Sequence, residues 1–279
     1  MQRFRFGIVA LAAALCAAFV AMNSRALAAE SGTSLTNMSL EVKALELLNT
    51  LDLTPEQLKA VEKLAAGAAD KRDRQAGSGP AALRTALAAF GEAVSRGADD
   101  DQIEDLQDDV DEQLEAKDVK LDDTVTLTAE ARTHAPDVVK LLTTTQVAAY
   151  ISESADDISD PTKDLLDALE ETHTADKERF AALRDQTADD VALAVAGLDS
   201  EKDDKIAEQV ASLLDKAHAL STSDFTEKHA DLQKEAKALV GDVDPLQVAR
   251  HFLQRDIAQL LANPCLPAAI AKRLKAAKD

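Results

Sequence analysis

Apolar side chains recur at intervals of three and four along most of this chain, and the runs are punctuated by Pro, Gly or short side chains able to cap a helix. Thr54-Pro55-Glu56-Gln57 puts a hydroxyl at a helix start, Pro at the first helical position and Gln three residues after the cap. A helix is predicted from there to about residue 75, broken by the Gly-Pro segment at 76–80. Leu83, Leu87, Phe90 and Val94 mark the next helix, over residues 80–96, closed by Gly97. Asp99 caps a third, whose narrow apolar stripe (Ile103, Leu106, Val110, Leu114, Leu121) is expected to run to about Arg132 before Pro136 kinks or breaks it. Val138, Val139, Leu141 and Leu142 then lead into Thr143-Thr144-Thr145-Gln146, a second start signal of the same form.

The acidic, turn-like stretch at 154–161 is the predicted boundary between two helical halves. Asp160-Pro161 restarts the pattern with Leu165, Leu166, Leu169, Phe180 and Leu183, and further stops and starts fall at Thr187, Gly197, Ser200, Ser223, Gly241 and Asp244-Pro245. The fold class is therefore all-α, a multi-helix bundle of antiparallel hairpins. Residues 161–279 read either as a decayed copy of the first half or as a supporting helical domain.

Ahead of the helices, Arg3 and Arg5 precede an apolar run over residues 7–22, followed by Ala26-Leu27-Ala28. That is the form of a secretory signal peptide over residues 1–28, too short and too plainly followed by a cleavage site to favour a membrane anchor. Leu15 stands where lipoprotein processing before Cys16 needs a small residue. Residues 29–39 are expected to be a flexible leader. Export to the periplasm or the extracellular space follows, with no membrane span after cleavage. Cys265 is then the remaining cysteine, in a turn, where it packs as a small apolar residue or bridges two chains.

Charge narrows the partners. With 31 Lys and Arg against 51 Asp and Glu the formal charge is −20, which repels nucleic acid and anionic lipid, and aromatics at 3% leave few rings for base stacking. The acid is concentrated at residues 99–123, where 13 carboxylates meet only Lys117 and Lys120. A solvated face is the plain reading of that stretch; weak cation binding or capture of a basic partner is the sharper one. Lys272, Arg273, Lys275 and Lys278 complement the dipole of a last helix, or dock on the acidic stretch.

Leu53-Thr54-Pro55-Glu56-Gln57 and Leu142-Thr143-Thr144-Thr145-Gln146 both read L-T-x-x-Q. In this, in its export signal and in its helix order, the chain over residues 40–152 resembles the Spy/CpxP family of exported helical proteins. That family includes envelope-stress chaperones, adaptor inhibitors of sensor kinases and metal-responsive relatives. The resemblance implies helical hairpins in a curved dimer whose concave face holds unfolded clients; the acidic stretch departs from the basic face such clients meet. On the residues themselves, Leu53, Thr54, Gln57, Leu142, Thr143 and Gln146 are fold determinants, each cap worth about 1 kcal/mol.

No G-x-S-x-G, H-E-x-x-H, phosphate loop or EF-hand is present. His134, His173, His218, His229 and His251 share no i,i+3 or i,i+4 spacing, so surface or capping roles are expected, with no metal and no cofactor. The expected function is non-enzymatic: an envelope-stress chaperone or adaptor, possible as a homodimer, that holds a protein partner or unfolded client. Its expected groove is formed by Leu58, Val61, Leu64, Leu106, Val110 and Leu114. The alternatives are a scaffolding envelope protein and a divalent-cation buffer or sensor using the acidic helix faces.

Overall fold

Most helix starts fall where a short oxygen-bearing side chain can accept from a backbone N–H two or three residues on, and the sequence supplies such residues at regular intervals. The computed structural model describes residues 34–74, 79–154 and 160–277. The proposed signal peptide, Cys16 and Lys278 lie outside the described residues. Among those described there are twelve α-helices and no strand: α1 (Leu35–Thr50), α2 (Pro55–Ala65), α3 (Ala81–Arg96), α4 (Asp100–Ala116), α5 (Ala129–Leu141), α6 (Thr144–Glu153), α7 (Pro161–Thr174), α8 (Lys177–Ala196), α9 (Ser200–His218), α10 (Thr222–Val240), α11 (Pro245–Ala262) and α12 (Leu266–Ala276). The all-α class is as the periodicity requires.

Side-chain caps carry the starts of α2 (Thr54), α4 (Asp99), α5 (Thr128), α6 (Thr143) and α7 to α11 (Asp160, Asp176, Asp199, Ser221, Asp244). Ser34 does the same for α1, accepting from Asn37 N–H at 3.1 Å, so residues 35–39, expected to be a flexible leader, are helical.

Three further expectations are corrected. The helix begun at Thr54 ends at Ala65 rather than near residue 75, because Gly67 turns the chain at φ +91° and the backbone beyond it has other partners. Asp70 N–H donates to the Ala262 carbonyl at 2.7 Å, and Ala68 offers its carbonyl to Thr128 Oγ1 at 2.7 Å. The third helix stops at Ala116 rather than near Arg132. Asp118 adopts φ +46°, donating to the Glu115 carbonyl while Val119 donates to that of Leu114, the paired bonds of a Schellman stop. The β-branched residues at 124–126 follow outside any helix, and Thr128, extended at φ −78°, ψ 159°, caps α5. Pro136 lies inside α5 and does not end it.

The chain divides into two compact units. The first takes residues up to 46, 71–124 and 271 onward; the second takes 47–70 and 125–270. Residues 40–152 and 161–279 therefore each contribute to both units.

In the first unit α3 packs on α4, and Gly91 of α3 faces α1, where a Cβ would stand 3.2 Å from Val42 and 3.8 Å from Leu45. Leu40, Val42, Leu45, Leu83, Leu87, Phe90 and Val94 are buried. Asp123 accepts from Ser39 at 2.6 Å and pairs with Lys43 at 2.9 Å, while Arg72 and Arg74 donate to the Thr124 carbonyl. In the C-terminal segment Lys272 pairs with Glu41, and Arg273 donates to the Ser95 carbonyl.

In the second unit α7, α8, α9 and α10 surround a core of Leu165, Leu169, Val191, Val210, Leu213, Leu214, Leu232 and Val240. A satellite of Leu193, Ala194, Val248 and Phe252 ties α11 to α8, and α11 also packs on α5 and α2. Gly197 ends α8 at φ +63°, ψ −133°, and a Cβ there would lie 2.8 Å from the His251 ring, whose Nδ1 is 2.9 Å from the Ala194 carbonyl. Gly241 ends α10 at a similar φ of +68° with nothing within 4 Å of a Cβ. Gly197→Ala is expected to lower stability by more than about 1 kcal/mol and by more than Gly241→Ala, since it adds a displaced ring to the same backbone strain. Urea midpoints of the two variants check this order.

Candidate functional site

The two L-T-x-x-Q segments, 89 residues apart between their glutamines, meet in the second unit. Each forms a complete capping box: Thr54 accepts from Gln57 N–H and Gln57 Oε1 accepts from Thr54 N–H at 2.8 Å; Thr143 and Gln146 repeat the pattern with the return bond at 2.9 Å. The side chains then go further than capping. Gln57 Nε2 donates to Gln146 Oε1 at 2.9 Å, and Gln146 Nε2 donates to Gln57 Oε1 at 3.0 Å.

The remaining amide protons cross as well. Gln57 Nε2 donates to the Leu141 carbonyl at 2.7 Å and Gln146 Nε2 to that of Asp52 at 2.8 Å, in each case two residues before the other segment's Thr. The result is a clasp with near two-fold exchange, in which both amides use both of their donors. Leu53 is buried beside it and Leu142 half-buried. Spacing in the sequence reveals each cap; nothing in it reveals that the caps pair.

The residues expected to form an apolar groove do not come together in one unit. Leu58, Val61 and Leu64 belong to the second, Leu106, Val110 and Leu114 to the first. Leu58, Val61 and Val110 are core, at 3%, 0% and 6% exposure, because they fill the buried stripe of their amphipathic helices. Leu64, Leu106 and Leu114 are half-buried.

Sequence reasoning missed a cleft of about 510 Å³ in the second unit, formed by α6, α7, α8 and α11. Tyr150 is buried in its wall and donates its hydroxyl to Asp256 Oδ2 at 2.5 Å; Asp256 Oδ1 accepts from Arg255 Nε at 3.1 Å. The Arg255 guanidinium lies 4.7 Å from the centre of the Phe252 ring and 4.0 Å from Asp190. Burial, then the Asp256 charge, push the Tyr150 phenol far above its usual range, so it remains a donor. Burial likewise raises Asp190, against the pull of Arg255 and with the help of Asp189 and Asp164. The cleft offers rings and carboxylates, with the Tyr150 proton already committed to Asp256. The signal available for it is the acid content of α7, Asp164, Asp167 and Glu171.

Three of the histidines, His173, His218 and His251, hold helix ends. His173 Nδ1 stands 3.2 Å from the Ala217 carbonyl and His218 Nδ1 2.7 Å from that of Thr172, an exchange between the last turns of α7 and α9. Their rings stack on Phe225 and Phe180 at 4.1 and 3.9 Å. Among the described residues no group of three or more His, Cys, Asp and Glu is placed to hold a metal, and no helix is long and apolar enough to cross a membrane.

No family model, curated protein or solved structure matches this chain. The site is therefore read on its own geometry.

A carboxyl raised by burial is more easily charged in the unfolded chain, so the folded state loses stability as pH rises through its titration. Asp190→Asn, neutral and of the same shape, is expected to raise the melting temperature at pH 7 and to leave it unchanged at a pH low enough to protonate Asp190. Calorimetric scans of both proteins across that range test the sign.

Proposed function

We propose that this chain is an exported, non-enzymatic helical binding protein of the Spy/CpxP kind, an envelope-stress chaperone or adaptor that holds a protein partner. The clasp is the observation that supports this reading: the two L-T-x-x-Q starts on which the resemblance rests act as one structural unit, through Gln57 and Gln146. Two short motifs arising by chance in unrelated helices would have no reason to saturate each other's amides. The half-buried Leu106 and Leu114 of α4 remain as apolar side chains a client could reach, whereas Leu58, Val61 and Val110 serve the core. Residues 1–28 direct export on this reading, and a disulfide-free core suits a chain with Cys265 as its one cysteine after cleavage.

Light scattering from an aggregating client protein tests the proposal. The chain is expected to suppress aggregation at several-fold excess, and Leu106→Ser/Leu114→Ser to suppress it less while keeping its helical circular dichroism. Undiminished aggregation in the presence of folded wild-type chain would overturn the chaperone reading.

A further inference from the structure

Side chains at one end of the α7–α10 core recur at a fixed interval along the chain. His173 and His218 stand 45 residues apart, and so do Phe180 and Phe225, Glu170 and Asp215, Arg184 and His229, and the helix caps Asp176 and Ser221. The buried pairs Leu165 and Val210, Leu169 and Leu214, and Thr172 and Ala217 keep the same interval. Contacts between the two sets are crossed. His173 Nδ1 meets the Ala217 carbonyl at 3.2 Å, and His218 Nδ1 meets that of Thr172 at 2.7 Å. His173 stacks on Phe225, and His218 on Phe180. Glu170 lies 3.4 Å from His229, and Asp215 lies 3.3 Å from Arg184. Helical periodicity alone can match burial, but it gives no reason for three contacts of different chemistry each to be returned by the equivalent residues.

We infer that α7–α8 and α9–α10 are two copies of one helical hairpin, and that the ends of α7 and α9 form a self-complementary surface whose partner is the other copy. Contacts returned residue for residue are the rule of an isologous interface about a two-fold axis, and here one chain supplies both sides. A hairpin with a single apolar stripe cannot bury it alone, so the second copy completes the core. The crossed contacts then fix how the copies meet. A carbonyl only accepts, so Nδ1 of both rings carries the proton. Each imidazole closes the last turn of the opposite helix, where intrahelical donors run out, and a phenyl ring of the opposite copy covers its face. The flanking pairs of Glu170 with His229 and Asp215 with Arg184 are partly exposed, and they set register more than strength.

Urea unfolding of the full chain and its variants is the test. Double-mutant cycles on His173→Ala with Phe225→Leu, and on His218→Ala with Phe180→Leu, are each expected to show a coupling of about threefold or more in the unfolding equilibrium constant. The two couplings are expected to agree within about threefold, since the contacts are equivalent. Additive losses in either cycle would overturn the inference. Thr172→Ala/Ala217→Thr exchanges the buried residues that carry the two accepting carbonyls. Each single change is expected to lower the urea midpoint, and the exchange to recover about half or more of the summed loss, because each residue moves to an equivalent site. An exchange that loses the full sum would show that the sites are not equivalent and would overturn the duplication. The unaltered chain gives a reading that does not depend on any variant folding. At about pH 8, where imidazole is ordinarily neutral, nitrogen-15 spectra are expected to show Nδ1 protonated in both His173 and His218. A ring protonated on Nε2 alone at either position would break the crossing and contradict the inference.

Discussion

The second unit depends on one exchange of hydrogen bonds, between Gln57 and Gln146. Each amide closes the cap of its own helix and, with its two N–H groups, fixes the other segment's backbone and side chain. An N–H left unpaired in a half-buried position loses its solvation without recompense, and each glutamine relies on the other to pair one of its two amide N–H bonds. That constraint places the starts of α2 and α6 side by side. From there α5 leads into one segment, and α2 and α5 both pack on α11. Thr50 of α1 donates to Glu153 of α6 at 3.1 Å, at the other end of α6.

Elements with local causes were legible in the sequence. Thr54-Pro55 and Thr143, Asp99, Asp160-Pro161 and Asp244-Pro245 name their helix starts because a cap acts over three residues. Gly97 names the end of α3 for the same reason, taking φ +66°. The stop at Asp118 has a local cause, yet it uses an aspartate in a conformation usually left to glycine and is not legible for that reason. Tertiary causes are not legible either: the turn at 66–70 is held by Ala262 and Thr128, far along the chain. Pro136 reads as a kink or a break, and α5 continues through it at the cost of one backbone bond, while Ala131, Ala135 and Val138 stay buried.

The binding surfaces were less legible still. Periodicity identifies buried positions, and Leu58, Val61 and Val110 were buried for the ordinary reason that they form cores. A cleft is a property of three or four elements together: Tyr150, Asp190 and Phe252 belong to three helices, and no spacing relates them. Its charge is also a cost. Asp190 is held where burial disfavours its ionised form.

A double-mutant cycle on Gln57→Ala and Gln146→Ala, followed by urea unfolding, addresses the clasp most directly. Each single change is expected to leave one N–H of the partner's amide unpaired and, with the loss of its own cap and crossing bonds, to destabilise by about 1–3 kcal/mol. The pair together should cost less than the sum, with a coupling of about 1 kcal/mol or more. Strictly additive losses would contradict it, and would reduce the two motifs to independent helix caps.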